Sequence, residues 1–576
     1  MPGSPPAPLA RPRVLTALVL LAALLFGAAP ASAATYVPIS GAGSTWSQNA
    51  LDQWRANVKQ YGMTVNYNGT GSSDGRNQFR NGTVDYAVSE IPYGVKDSGV
   101  VDSAPSRKYA YMPIVAGGTS FMYNLTIGNK RVTNLRLSGD VIAKIFTGQI
   151  KTWNDPAIKA DNPALAAALP ARRVVPVVRS DGSGTTAQLT TWMSKQYPGM
   201  WDAYCRRAGR STPCGTTSNF PVVSGSGFVS QAGSNGVSGY VAQAGNVGTI
   251  TYVEYSYAVY TTGFPVAKVL NKAGYYVEPT AKNVAVSLLK ARINNDSSSP
   301  SYLTQILDDV YNDRDARAYP LSSYSYMIIP TKLESNFNAQ KGKTLGAFAY
   351  YFLCQGQQHV DNLGYSPLPI NLVQAALDQV RRIPGVDVEK TNIKDCHNPT
   401  FSSDGTNTLA KTAPYPPACD KQGTSQCATG TGGAKQSTNV GGSSGGAGSS
   451  GGGSGGGSAF GGSGGAGSGG AGSGGAGSSG GAGSGGTAGA GGASGGAGTT
   501  GGTTIDPDTG QVIGANGASG GSGDGTGSDA FAVPVNTSRS ISSGSRTALM
   551  TVAGVLLLAL TVGPPLLTRR LKRGKS

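Results

Sequence analysis

From about Gly430 to Gly527 the composition is dominated by Gly, Ser and Ala in near-repeats of Gly-Gly-Ala-Gly-Ser. Such side chains bury almost no apolar surface, so they cannot offset the entropy lost in ordering their own backbone. The stretch is expected to be a flexible linker with an end-to-end span of roughly 50 to 60 Å for about 100 residues. Ile505-Asp506-Pro507 and the segment from Phe531 to Asn536 interrupt it. The 576-residue chain is therefore left with only about 400 residues for a core, room for two lobes.

The two ends read as targeting segments. Arg11 and Arg13 precede an apolar run from Val14 to Phe26 and then Ala31-Ser32-Ala33, the pattern of a cleavable secretory leader over residues 1–33. No cysteine lies near the cleavage region, so attachment through a lipidated N-terminal cysteine is not expected. Thr547 to Thr568 runs 22 residues without a charge, long enough to span a bilayer, and Arg569, Arg570, Lys572, Arg573 and Lys575 follow at once. A basic flank belongs on the cytoplasmic side. The expectation is a single-pass protein of the cell membrane, with its globular part outside and residues 569–576 as a cytoplasmic tail.

Charge says little about partners. Of the formal +16, five positive charges lie in the tail and two in the leader, leaving +9 for the exterior. That surplus weakly favours anionic partners. There is no basic run with interleaved aromatics, so nucleic acid is not expected. Six cysteines in an exported chain favour disulfides. Spacing points to Cys205 with Cys214 and Cys419 with Cys427, leaving Cys354 to Cys396; none of the six forms a CxxC pair, so no metal or other cofactor is expected.

One local pattern recurs. Val177-Val178-Arg179 ends a β-branched run, Ser180 to Gly184 makes a glycine-punctuated turn, and Thr185 to Lys195 carries Leu189, Trp192 and Met193 at helical spacing. A strand that turns directly into a helix presents unpaired N–H groups and the positive end of the helix dipole, and here it adds Ser183, Thr185 and the Arg179 guanidinium. That is a cradle for an oxyanion without a metal. Tyr36 to Ile39, the loop Ser40 to Trp46 and a helix from Ser47 repeat it, as do Thr64 to Tyr67, the loop Gly69 to Gly75 and a helix ending at Arg80. Thr45, Ser72 and Ser183 sit at the three tips. Asp85 to Glu90 reads as a further strand that leaves Glu90 at its end, where the loops of an open α/β sheet converge. Tyr109 to Ile127 reads as a connecting strand. No GxxxxGK[ST] loop appears, and His359 and His397 are the only histidines, so neither a nucleotide P-loop nor a hydrolase triad is expected.

Taken in order, Gly41-Ala42-Gly43-Ser44-Thr45-Trp46, Gly69-Thr70-Gly71-Ser72-Ser73-Asp74-Gly75, Asp85-Tyr86-Ala87-Val88-Ser89-Glu90 and Arg179-Ser180-Asp181-Gly182-Ser183-Gly184-Thr185 resemble the phosphate-binding protein (PstS) family of the high-affinity phosphate ABC transporter. Ile145 to Asp155 and Gly248 to Tyr255 look like that family too. The resemblance covers roughly Ile39 to Val380. It implies an α/β, two-lobed periplasmic-binding-protein type II fold that closes by a hinge over inorganic phosphate and delivers it to ABC permease subunits, with no chemistry on the ligand. The implied lobes are about 34–120 with 265–400, and about 121–264. A Cys-bounded extension (401–429), the linker (430–546), a transmembrane helix (547–568) and the tail then follow.

The implied ligand set is Thr45, Trp46 through its main-chain N–H, Ser72, Glu90, Arg179, Ser183, Gly184 and Thr185, with Asp181 orienting Arg179. The family's carboxylate is an aspartate that accepts the proton of the bound phosphate and thereby rejects unprotonated sulfate. Glu90 occupies that position here, a departure that leaves phosphate-versus-sulfate selectivity open. The alternatives are a binder of another oxyanion, a surface-anchored adhesive or structural protein using the same fold, and a secreted phosphohydrolase.

Overall fold

The computed structural model describes residues 36–438, apart from 98, 99, 300, 303, 335, 390–392, 397 and 403, together with two short strands at Thr504–Ile505 and Val512–Ile513. The leader, most of the linker, the expected transmembrane helix at 547–568 and the basic tail lie outside the described residues. Among the described residues no helix is long and apolar enough to cross a membrane.

The chain alternates strand and helix: β1 (Ile39–Gly43), α1 (Gln48–Val58), β2 (Val65–Asn68), α2 (Ser72–Arg80) and β3 (Tyr86–Ser89). The long β4 (Tyr109–Asn124) follows, then β5 (Val175–Arg179), α3 (Gly184–Gln196), β6 (Val229–Gln231), α4 (Gly233–Ala242), β7 (Thr249–Glu254) and β8 (Val266–Leu270). Strand β9 (Ser322–Pro330) and helices α5 (Ala339–Leu353) and α6 (Ile370–Val380) complete the main elements. Strands β7 and β9 are buried along their whole length.

Strand order is β6-β5-β7-β4-β9-β3-β1-β2. The β1–β2, β1–β3, β5–β6 and β5–β7 pairs are parallel, whereas β4 is antiparallel to both β7 and β9. Both halves of the sheet thus share β4. Its residues up to Gly118 pair with β9, ending at Ser322↔Gly118, and from Thr119 onward they pair with β7, beginning at Glu254↔Thr119.

Two hydrophobic cores sit on either side of that changeover, which makes the molecule a two-lobed α/β protein. The first contains Leu51, Trp54, Phe79, Val88, Ala116, Tyr326, Phe348 and Val373. The second contains Phe121, Phe146, Trp153, Trp192, Trp201 and Tyr252, and it also draws in Val269, Leu307, Tyr311 and Leu321 from later in the chain.

β1 departs from the expected boundaries, because Ser40 to Gly43, read as loop, is strand. The cause is tertiary: a Cβ on Gly41 would lie 2.2 Å from the Tyr86 ring, and Gly43 has φ +136° with the Val88 carbonyl 2.1 Å from where its Cβ would be. Likewise α2 begins at Ser72, inside the expected loop.

After α6 the chain forms a strap from the first lobe to the second. Leu409, Ala410 and Ala413 pack on Ala285 and Val286. Beyond them Arg136 Nη1 donates to the carbonyls of Cys419 (3.0 Å) and Ser425 (2.9 Å), and Lys268 pairs with Asp420 at 2.6 Å. Residues 430–438, at the start of the glycine-rich tract, are packed as well: Thr431 N donates to the Thr133 carbonyl at 3.0 Å, and Thr133 and Thr438 hydroxyls stand 2.8 Å apart. The disulfides are Cys205–Cys214, Cys354–Cys396 and Cys419–Cys427, the pairs expected from spacing.

Candidate functional site

Four helix N-termini meet in the seam between the lobes. Three were expected, those of α1, α2 and α3, and each follows a parallel strand by a short polar turn. The fourth, α4, follows β6 through the single residue Ala232. Four positive dipole ends bias the seam towards negative charge.

Arg179 ends β5 and is 3% exposed. Its Nε donates to Asp181 Oδ1 at 2.7 Å, and Nη2 pairs with Asp181 Oδ2. Asp181 Oδ1 also accepts from the Gly233 N–H at 2.9 Å. Burial raises the Asp181 carboxyl, but the Arg179 charge and its hydrogen bonds outweigh that and leave it below the usual carboxylate range. Burial pulls Arg179 down, yet Asp181 more than offsets this, and the guanidinium stays charged. A bidentate clamp of this kind holds the fork in one orientation and leaves Nη1 for other partners. Nη1 reaches Ser234 Oγ at 3.3 Å.

Thr45 Oγ1 stands 2.9 Å from Ser234 Oγ and accepts from the Ser234 N–H at 3.0 Å, so the tip of the first turn and the start of α4 touch across the seam. Ser72, at the first turn of α2, donates to Glu90 Oε2 at 2.9 Å and accepts from the Gly184 N–H at 3.1 Å. The Trp46 N–H donates to Ser44 Oγ at 3.0 Å. Ser183 is the N-cap of α3, accepting from Thr186 N at 3.1 Å. Thr185 Oγ1 is buried with no hydrogen-bond partner among the described residues. All the expected ligand residues are therefore brought together in one hydrogen-bonded cluster or flank it.

Glu90 is the centre of that cluster. Oε2 accepts from Ser44 Oγ (2.7 Å) and Ser72 Oγ, and Oε1 accepts from Ser325 Oγ (2.7 Å). Burial pushes its carboxyl up, opposed by the three hydroxyls and by Arg179. Gly184 allows this approach, because a Cβ there would lie 1.9 Å from Glu90 Oε2 and 2.5 Å from Ser72 Oγ. Further contacts close the seam: Ser73 N donates to the Gly182 carbonyl at 3.0 Å, and Gln188 Nε2 to the Glu90 carbonyl at 3.0 Å.

Sequence reasoning missed Ser44, Ser234 and Ser325. Ser44 lies inside the quoted motif beside Thr45. Ser234 had a signal, since Val229 to Ser234 is another strand, small turn and helix start. Ser325 lies mid-strand in β9 and carries none. Glu254 was also missed; it ends β7 fully buried, Oε2 accepts from Ser256 N at 2.6 Å, and Oε1 has no partner among the described residues. Burial holds its carboxyl well above the usual range, with Glu90 adding to the effect.

Residues 28–355 match the PBP superfamily domain model PBP_like_2. The chain is 30% identical over 354 residues to the phosphate-binding protein PstS of Methanocaldococcus jannaschii, covering 59% of this chain and 85% of that one. It is 32% identical over 339 residues to the phosphate-binding protein PstS of Xylella fastidiosa, covering 59% and 83%. Among solved structures, a phosphate-binding protein from Stenotrophomonas maltophilia aligns at TM-score 0.44 and 16% identity, over 59% of this chain and 92% of that one. By its match to the superfamily model and its identity to these relatives, the chain belongs to the PstS family of phosphate-binding proteins.

Proposed function

We propose that this protein is an extracytoplasmic receptor that captures inorganic phosphate between its lobes and passes it to an ABC permease, without chemistry on the ligand. The observation that carries this reading is Arg179: a buried guanidinium held by Asp181, in a seam where four helix N-termini converge. Such a seam stabilises an oxyanion through charge-assisted hydrogen bonds. Thr45, the Trp46 N–H, Ser72, Arg179, Ser183, the Gly184 N–H and Thr185 would surround the phosphate, and Glu90 would accept its proton. Glu90 already accepts from three serine hydroxyls, two on Oε2 and one on Oε1, so the acceptor position left for that proton is on Oε1.

In the same proposal, residues 1–33 are a leader, 34–400 the binding domain, 401–429 the Cys-bounded extension, 430–546 the connection to the membrane, 547–568 the span and 569–576 a cytoplasmic tail. The sequence supports this with the n-region arginines, the uncharged run and its basic flank. A tether keeps the receptor at high effective concentration beside a permease in the same membrane.

The test is calorimetric titration of the purified full chain with phosphate and with sulfate. Submicromolar phosphate binding with little response to sulfate is expected. No response to phosphate would refute the proposal, and equal binding of sulfate would make the protein a general tetrahedral-oxyanion receptor.

A further inference from the structure

A separate cavity of about 410 Å³ lies at the opposite end of α1 from Thr45 and Trp46, where the last turns of that helix meet the 3-10 segment Gln355–Leu363. Six carboxamides line it: Gln53, Asn57, Gln60, Gln355, Gln358 and Asn362. No Asp, Glu, Lys or Arg does. In a chain with a formal charge of +16, a concave surface without a carboxylate, ammonium or guanidinium, where six amides stand beside His359, suits an uncharged polar ligand better than an ion.

Five of the six amides carry hydrogen bonds. Gln53 Nε2 donates to Asn57 Oδ1 at 2.8 Å, and Asn57 Nδ2 donates to Tyr351 Oη at 2.9 Å. Tyr61 Oη donates to Gln355 Oε1 at 3.3 Å, and its ring, 45% exposed, lies 6.0 Å from that of Tyr351. The floor is rigid, because Trp54 Nε1 donates to the Gly356 carbonyl at 2.9 Å and the Cys354–Cys396 disulfide pins the start of the 3-10 segment. Gln358 Nε2 adds a bond to the Cys396 carbonyl at 3.2 Å.

A carboxamide presents a donor and an acceptor in one plane, which matches a pair of neighbouring hydroxyls that each donate and accept. The electron-rich face of a tyrosine suits the C–H face of a sugar ring, and a concave site with a few fixed polar groups gives orientation. We propose that this pocket binds a neutral saccharide. Gln53 Oε1, Gln355 Nε2 and the Asn362 carboxamide, which have no hydrogen-bond partner among the described residues, meet its hydroxyls, and the ring of Tyr351, which lines the pocket, is the aromatic face it meets. The pocket shares no residue with the phosphate seam, so the two binding events are separable.

The test is calorimetric titration of the full chain with chitotetraose and with maltotetraose, beside an acidic polysaccharide and an uncharged hexapeptide. The expected result is binding of at least one neutral saccharide with Kd of about 1 mM or tighter. The paired variant Gln53→Ala with Gln355→Ala changes two exposed side chains; it should weaken that binding about tenfold or more and leave phosphate affinity unchanged. No response to either neutral saccharide at about 10 mM, an undiminished response in the paired variant, or a stronger response to the acidic polysaccharide or the peptide would each overturn the proposal.

Discussion

Thr45 Oγ1 and Ser234 Oγ, from opposite lobes and 189 residues apart in sequence, stand 2.9 Å from each other, with Arg179 Nη1 on the same serine. Removing the hydroxyl leaves Thr45 and Nη1 each short of one partner. Ser234→Ala is therefore expected to weaken phosphate binding about fivefold, the worth of roughly 1 kcal/mol for one hydrogen bond, with the thermal midpoint little changed. Titration calorimetry on the variant reads this directly, and an unchanged Kd would place Ser234 outside the binding network.

Arg179→Ala should do two separable things. It removes the main cation for the anion, so phosphate affinity is expected to fall more than about a hundredfold. It also strands a buried Asp181, at a cost of about 3 kcal/mol in stability. Adding Asp181→Asn should restore the melting temperature without restoring binding. Recovery of both would show that the arginine acts only through the fold.

Gly184→Ala tests closure. The new methyl would meet Glu90 Oε2 at 1.9 Å and Ser72 Oγ at 2.5 Å, yet alanine in the first turn of α3 costs the helix nothing. Far-ultraviolet circular dichroism should be unchanged while phosphate binding weakens about a hundredfold, because the two walls can no longer meet. Wild-type affinity would mean that the seam binds its ligand without shutting to this distance.

Glu90→Gln keeps the side-chain volume and removes the ability to accept at both oxygens. One of the three serine donors, or the proton of the phosphate, then faces an N–H. The ratio of phosphate to sulfate affinity should fall about tenfold or more. Competition titrations at fixed pH measure it, and an unaltered ratio would remove Glu90 from anion discrimination.

Glu254 sets a pH dependence of stability. Its folded-state carboxyl lies well above the ordinary 4.5, raised first by burial and further by Glu90. The folded protein therefore keeps a proton that the unfolded chain has already released. The stabilisation is complete below the unfolded value and is lost as pH rises towards the folded one, with a slope of up to about 1.4 kcal/mol per pH unit. Wild type should lose thermal stability relative to Glu254→Gln as pH rises from about 5 to 9. Melting curves of the two that run parallel across this range would refute the assignment.

The parts of the site written in local grammar could be read without a structure. Val177 to Thr186 announces itself by a β-branched strand, a glycine turn and a periodic helix, and two other junctions do the same. The fourth was missed because β6 is only three residues long and α4 carries Gly233, Gly236 and Gly239, which blunt its helical signal. Ser325 could not be read because nothing near it in sequence distinguishes it; its role arises only when β9 pairs with β3 and β4 and brings it to Glu90. Ser40 to Gly43 looked like a loop because its strand character comes from the Tyr86 ring lying against Gly41. The packing of residues 430–438 was hidden for a similar reason. A threonine in a Gly/Ser-rich tract looks like linker until Thr133 is found opposite it.

The strap that ends at Thr438 also decides how mechanical load enters the molecule. Its last fastenings, to Thr133, Arg136 and Lys268, are all on the second lobe. A pull along the chain beyond Thr438 is therefore borne by that lobe before it can reach the cleft. On the proposed tether, the second lobe would therefore be the moored one and the first the one left to move.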